Sequence, residues 1–166
     1  MIVLSIIVSI ASAGIALVSM LLLNKQEKVI IAEAGDTGTI VNRKKSKNII
    51  HMRPITIKDN KGNTIDKSNL LRVLVDGKCM ERKGIKDGTQ LYAKVINSEV
   101  KLSKQISQGD ILLIYLDDKN IFKLRVFDKM EEGALVTYRY NNIGERKNSS
   151  KPHKPESIKG VVRYIV

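Results

Sequence analysis

One cysteine occurs in the chain, Cys79, within Asp76-Gly77-Lys78-Cys79-Met80, and a lysine, Lys123, lies further on in Ile121-Phe122-Lys123-Leu124-Arg125. A thiol and an amine form a candidate nucleophile and general base for acyl transfer. A thiol near pKa 8.5 is a stronger acid than a lysine ammonium near about 10.4. Such a pair rests as thiolate and ammonium where solvent is near, or as thiol and amine where the site is dry. The ammonium must give up its proton before it can act as a base. The same cysteine, being alone, excludes an internal disulfide. His51 and His153 stand isolated and match no metal-ligand spacing, so neither a metal nor another cofactor is expected.

Both residues need elements to position them, and the elements expected are strands. Short runs rich in β-branched and aromatic residues predict strands at Val29–Ile31, Thr39–Val41, Ile55–Lys58, Leu70–Val75, Gln90–Ile96, Ile111–Leu116, Ile121–Phe127, Ala134–Tyr140 and Gly160–Val166. Asp117-Asp118-Lys119-Asn120 and Asp59-Asn60-Lys61-Gly62-Asn63 carry residues that tolerate turn geometry and read as hairpin turns. Helical periodicity is limited to single turns near Met80–Lys83 and Ser103–Ser107. Asn141 to Ser157, polar and with Pro152 and Pro155, reads as a long loop. Strand Leu70–Val75 thus delivers Cys79 at a turn where Gly77 permits sharp geometry, and Lys123 lies in the second arm of a hairpin. Gly35-Asp36-Thr37-Gly38-Thr39 lacks the lysine and following helix of a phosphate loop and reads as a turn.

The N-terminus is different in kind, because Ile2 to Leu23 runs without a charge. A helix over that run would be roughly 33 Å long, enough for a hydrocarbon core of about 30 Å. The expectation is a single transmembrane helix over residues 1–23, a basic linker over 24–48 and a β domain over 49–166. Lys25, Lys28, Arg43, Lys44, Lys45 and Lys47 follow the run and no Lys or Arg precedes it, which would keep the C-terminal domain in the cytoplasm. The net charge of +12 lies wholly after the run. Arg43, Lys44, Lys45 and Lys47 would meet anionic lipid at the membrane surface. Nucleic acid is the less favoured partner: no helix-turn-helix, zinc or RNP pattern accompanies the basic residues, and only 4% of residues are aromatic. The sequence fixes no oligomeric state.

Several segments in order resemble one family. Leu70-Leu71-Arg72-Val73, Gly77-Lys78-Cys79-Met80, Ile85-Lys86-Asp87-Gly88, Gln108-Gly109-Asp110-Ile111-Leu112, Phe122-Lys123-Leu124-Arg125 and Lys159-Gly160-Val161-Val162-Arg163 are similar to the pattern of LexA-like peptidases. The resemblance covers roughly Leu70 to Val166. It implies a mostly β, LexA/signal-peptidase-like domain, here behind the expected helix. It also implies a nucleophile at Cys79, a general base at Lys123, and an oxyanion-stabilising turn around Gly77 and Met80. Two departures stand out. The family's nucleophile is usually serine, and the acidic residue usual after the turn glycine is Thr89. Signal peptidases share the broad fold, but Met80 is followed by Glu81 where their motif has proline.

Ala32-Glu33-Ala34-Gly35-Asp36 resembles the Ala-Gly segment that LexA-like proteins present to their own active sites. The expectation is a peptidase acting on itself, between Ala34 and Gly35, or on another protein. A cut there would part the apolar N-terminus from the basic domain. The alternative is a catalytically inactive LexA-like fold, with Cys79 a buried structural residue, serving as a protein-binding or anionic-lipid-binding module.

Overall fold

The computed structural model describes residues 26–34, 49–141, 144–149 and 151–166. Its strands are β1 (Glu27–Glu33), β2 (Ile49–Met52), β3 (Leu70–Asp76), β4 (Gln90–Val95), β5 (Ile111–Leu116), β6 (Ile121–Glu131), β7 (Ala134–Tyr140), β8 (Arg146–Asn148) and β9 (Ile158–Ile165). Three short 3-10 turns, at Glu81–Lys83, Leu102–Lys104 and Pro155–Ser157, supply all the helical structure among the described residues.

The strands form one sheet in the order β2-β1-β3-β4-β9-β5-β6-β7-β8. An added parallel pairing of β1 with β6 curls β1, β3, β4, β9, β5 and β6 into a closed ring. Side chains alternate across its wall, as a period of two demands. Leu113, Leu124 and Val126 join Val73, Val75, Met80 and Leu91 in one buried cluster. Their neighbours Leu112, Ile114 and Phe127 join Ile106, Leu135 and Ile158 in a second.

The transmembrane helix in the expected fold class falls on residues 1–23, outside the described residues, as does the expected strand Thr39–Val41. The fold class is corrected to all-β. Among the described residues there is no α-helix, and no helix is long and apolar enough to cross a membrane. For the described residues that finding replaces the helix-plus-β class with an all-β one, and none of them supplies the span on which the expected single-pass location with a cytoplasmic C-terminal domain rests. The physical reason is that the apolar residues of the described part recur at period two and are buried by strand pairing, so none of its segments forms an uninterrupted apolar helix. Arg43, Lys44, Lys45 and Lys47, expected to contact lipid, also lie outside the described residues.

β1 comes from the stretch read as linker, and a buried polar network pins its start. Arg72 on β3, only 3% exposed, donates to Glu27 Oε2 at 3.0 Å, to Arg53 O at 2.7 Å and to Gln90 Oε1. Lys67 Nζ reaches Glu27 Oε1 at 3.2 Å. The Tyr92 hydroxyl reaches Glu27 Oε2 at 3.3 Å. Burial first, and then the Glu27 carboxylate, push the Tyr92 phenol up to about 12.

Gly160 sits where β9 threads between β4 and β5. A Cβ there would lie 2.9 Å from Lys94 O and 3.1 Å from Ala93 Cβ, both parts of a paired strand with little room to give. Gly160→Val is therefore expected to cost about 1–3 kcal/mol of stability, read as a lower urea midpoint. An unchanged midpoint would mean that the two strands separate freely at this point.

Candidate active site

Each candidate residue reaches its place by a local rule of the chain. β3 ends at Asp76, and Gly77, at φ 110°, takes a left-handed turn that a side chain would resist. The Gly77 N–H donates to Asp87 Oδ1 at 2.9 Å, tying this turn to the one before β4. Met80 is fully buried in the first core cluster. Its carbonyl accepts from Lys83 N at 2.8 Å and Ile85 N at 3.2 Å, which starts the 3-10 turn Glu81–Lys83. Between these anchors Cys79, 7% exposed, is held by its own carbonyl, which accepts the Tyr140 N–H on β7 at 3.2 Å. The chain therefore crosses from β3 to β7 at Cys79.

That crossing passes the end of β1. In the register of β1, Glu33 is opposite Asp76 of β3 on one side and opposite Lys123 of β6 on the other. Two strand spacings of about 4.8 Å put the backbones of Asp76 and Lys123 roughly 10 Å apart. Lys123, 6% exposed, points away from the ring interior that Leu124 and Val126 fill, and its Nζ lies 3.9 Å from Glu33 Oε2. Tyr140 lies two residues beyond the Val126–Tyr138 pair, so the hydrogen bond from its N–H holds Cys79 at the end of β7.

The nitrogen set against the sulfur belongs to a residue that sequence reasoning missed. Arg139 Nη1 donates to Cys79 Sγ at 3.7 Å. A guanidinium there is placed to stabilise negative charge on sulfur. Arg139 also lines a cleft with Lys123 and Arg125, so one side chain spans the sulfur and the lysine. The clue available in sequence was its alternation with Tyr138 and Tyr140, whose rings turn to the first core and leave Arg139 facing the other way.

The Gly77 N–H is engaged by Asp87, whereas no acceptor among the described residues takes the N–H of Cys79 or Met80. The expected cleavage segment is split by the description: Gly35 lies outside the described residues, while Ala34 is fully buried at the end of β1. The Ala34 N–H donates to Asp76 O at 2.8 Å.

His153 is a further residue at this face. Its backbone pairs with Leu135 in both directions at 2.8 Å, which docks the segment read as loop onto β7. Its ring lines the cleft, and Nε2 is buried with no hydrogen-bond partner among the described residues. Burial, followed by the charges of Arg125 and Lys123, holds its pKa below the ordinary 6.5. A histidine depressed on folding binds its proton more readily when unfolded. Its stability contribution is therefore complete above 6.5 and is lost as pH falls through the lower folded value. Urea midpoints measured from about pH 8 to about pH 5 should drop in this window, and His153→Gln should flatten the drop. An equal drop in the variant would assign the effect to other groups. No group of three or more His, Cys, Asp and Glu among the described residues could hold a metal ion.

Neither a protein-family model nor a curated protein sequence matches the chain.

Proposed function

We propose that the chain is a LexA-like peptidase in which Cys79 is the nucleophile and Lys123 the base, and that it cuts itself between Ala34 and Gly35. The observation that carries this reading is the position of β1. Its pairing sets Glu33 beside Lys123 and ties Ala34 to Asp76, three residues ahead of Cys79. The strand that ends in the segment resembling a self-cleavage site thus lies between β3, which leads to Cys79, and β6, which carries Lys123.

In the reaction, Cys79 Sγ attacks the Ala34 carbonyl carbon while Lys123 takes the thiol proton, or the thiolate attacks directly. The Cys79 and Met80 N–H groups, which no acceptor among the described residues takes, are the donors assigned to the resulting oxyanion. Collapse breaks the Ala34–Gly35 bond, and Lys123 returns its proton to the departing Gly35 amine. A thioester between Ala34 and Cys79 remains. Lys123 then takes a proton from water, which attacks the thioester, releases the Ala34 carboxyl group and regenerates Cys79. On the route in which Lys123 takes the thiol proton, its Nζ needs a free lone pair, so Glu33 must first move off it.

The test is the intact mass of the purified full chain followed over time at neutral and alkaline pH. A fragment beginning at Gly35 is expected. A chain that keeps its full mass under every condition, with Cys79 reduced, would remove the self-cleaving reading and leave the binding module.

A further inference from the structure

Among the described residues, His153 Nε2 is the one buried side-chain nitrogen or oxygen without a hydrogen-bond partner. Buried polar atoms are almost always paired, so an orphan on a titratable ring calls for a physical account. In the neutral ring the orphan costs one unmade bond, whereas the imidazolium would bury a charged N–H donor that nothing receives. The ring sits in the wall between two cavities, about 280 Å³ on the side of Lys123 and about 480 Å³ on the side of Glu156. Around it stand Lys123 and Arg125 from β6, Arg139 from β7, and Asp118 and Lys119 from the β5–β6 turn. Its own segment adds Lys151, Lys154 and Glu156, and Asp117 lines the larger cavity. None of the three carboxylates accepts from Nε2. Lys123, Arg125 and Arg139 are each engaged with further groups, and burial precedes the charges of Arg125 and Lys123 among the causes that hold the ring neutral.

What the ring controls follows from how its segment is held. Residues 151–154 reach β7 through one pair of backbone hydrogen bonds, His153 N–H to Leu135 O and Leu135 N–H to His153 O, both 2.8 Å. Toward β8 the next bond is Ser149 N–H to Thr137 O at 2.8 Å. Toward β9 the chain turns through Pro155–Ser157, with Ser157 N–H donating to Lys154 O at 3.1 Å. Pro152 has no N–H to add. The segment is thus anchored at both ends and stitched to β7 at one point, the residue whose ring is held neutral. Leu135, beneath the stitch, is fully buried.

We infer that His153 is an acid-operated latch: its protonation breaks the pair with Leu135 and lifts residues 151–154 off β7, while β8 and β9 stay paired. Linkage fixes the sign. A ring that holds its proton less tightly when docked is released as pH falls. The open fraction rises by about tenfold per pH unit between the open and the docked midpoints and then levels off. Lifting the segment removes the wall between the two cavities and bares the edge of β7 at Leu135. The latch does not depend on the peptidase reading, since it moves whether or not any bond is cut.

Amide hydrogen exchange of the full chain, followed by NMR from about pH 8 to about pH 5 and corrected for the pH dependence of unprotected amides, tests the latch. The Leu135 and His153 amides should lose protection by about tenfold per pH unit below the ordinary histidine range, then level off. The Val75 and Phe127 amides, bonded to Thr89 O and Asp110 O, should keep theirs. His153→Gln, neutral throughout, should hold Leu135 protected at every pH. Asp118→Asn combined with Glu156→Gln should leave the pH dependence in place. If the histidine variant folds poorly, the parent chain still decides, because the loss at Leu135 must level off at the midpoint of the ring's own titration. The inference is overturned if Leu135 is equally protected across the range, if Val75 and Phe127 lose protection in step with it, or if His153→Gln keeps the pH dependence. It is equally overturned if the carboxylate double variant abolishes that dependence, or if the ring's midpoint lies away from the pH at which the loss levels off.

Discussion

Cys79→Ala should abolish cleavage after Ala34, a loss of roughly 10³-fold or more, because removal of a nucleophile leaves only binding and oxyanion contacts to act on the bond. Lys123→Ala should cost a comparable factor in cleavage. The two variants differ in a second measurement. Labelling of the sulfur by a thiol-directed probe is lost outright in Cys79→Ala, and in Lys123→Ala it continues at a rate set by the remaining cation, Arg139, at 3.7 Å. Arg139→Met should then slow labelling while leaving Lys123 in place. If Cys79→Ala still yields the fragment beginning at Gly35, some other group cuts the chain and the thiol is structural. If Arg139→Met labels as fast as the parent chain, the guanidinium does not govern the sulfur.

Arg72→Met should produce the largest loss of stability of any single change at the polar network, about 3 kcal/mol, which lowers the unfolding midpoint by roughly 10 °C. The side chain of Arg72 is 2% exposed and that of Glu27 is 20% exposed, so deleting the cation strands a carboxylate with limited access to water. Lys67 and Tyr92 keep hold of Glu27, which sets the figure at the lower end of the range for broken buried pairs. The same variant loosens the start of β1, the strand that leads to Ala34. A midpoint within about 1 °C of the parent would mean that Lys67 alone satisfies Glu27.

The sequence displayed those parts of this molecule that depend on local pattern. The runs around Leu70–Val75, Gln90–Ile96, Ile111–Leu116, Ile121–Phe127 and Ala134–Tyr140 correspond to β3 through β7, where alternation and β-branched residues coincide with burial. The turn Asp117-Asp118-Lys119-Asn120 joins β5 and β6, with Asn120 at φ 51°, a conformation its short polar side chain tolerates. β2 and β8 left no such signature. Ile49–Met52 and Arg146–Asn148 are outer strands with largely exposed residues, defined by the partner they pair with and not by a buried face. For the same reason Asn141 to Ser157 read as a loop although it contains β8 and the His153 pairing.

At the site, Cys79 and Lys123 stood out as chemical types, and the Ala34 segment as a resemblance. The approach of Lys123 to the end of β1 could not be read, because it rests on a parallel pairing between Glu33 and Lys123 that spans most of the domain. Arg139 and His153 were hidden likewise. Each acquires its role from a neighbour distant in the chain, the sulfur in one case and the cations of β6 in the other. The long apolar N-terminal run was the most conspicuous feature of the sequence, yet the described fold is organised by β1, which follows it.

The pairing of β1 with three other strands bears on what a peptide-bond scission would achieve. Val29, Ala32 and Ala34 are wholly buried, and β1 is hydrogen-bonded to β2, β3 and β6, all of which lie on the far side of the cut. Severing the backbone after Ala34 would give two polypeptides that remain one particle, as in a split protein whose halves complement each other. A denaturing gel would resolve them while gel filtration would not, and their release would require β1 to peel away from the sheet.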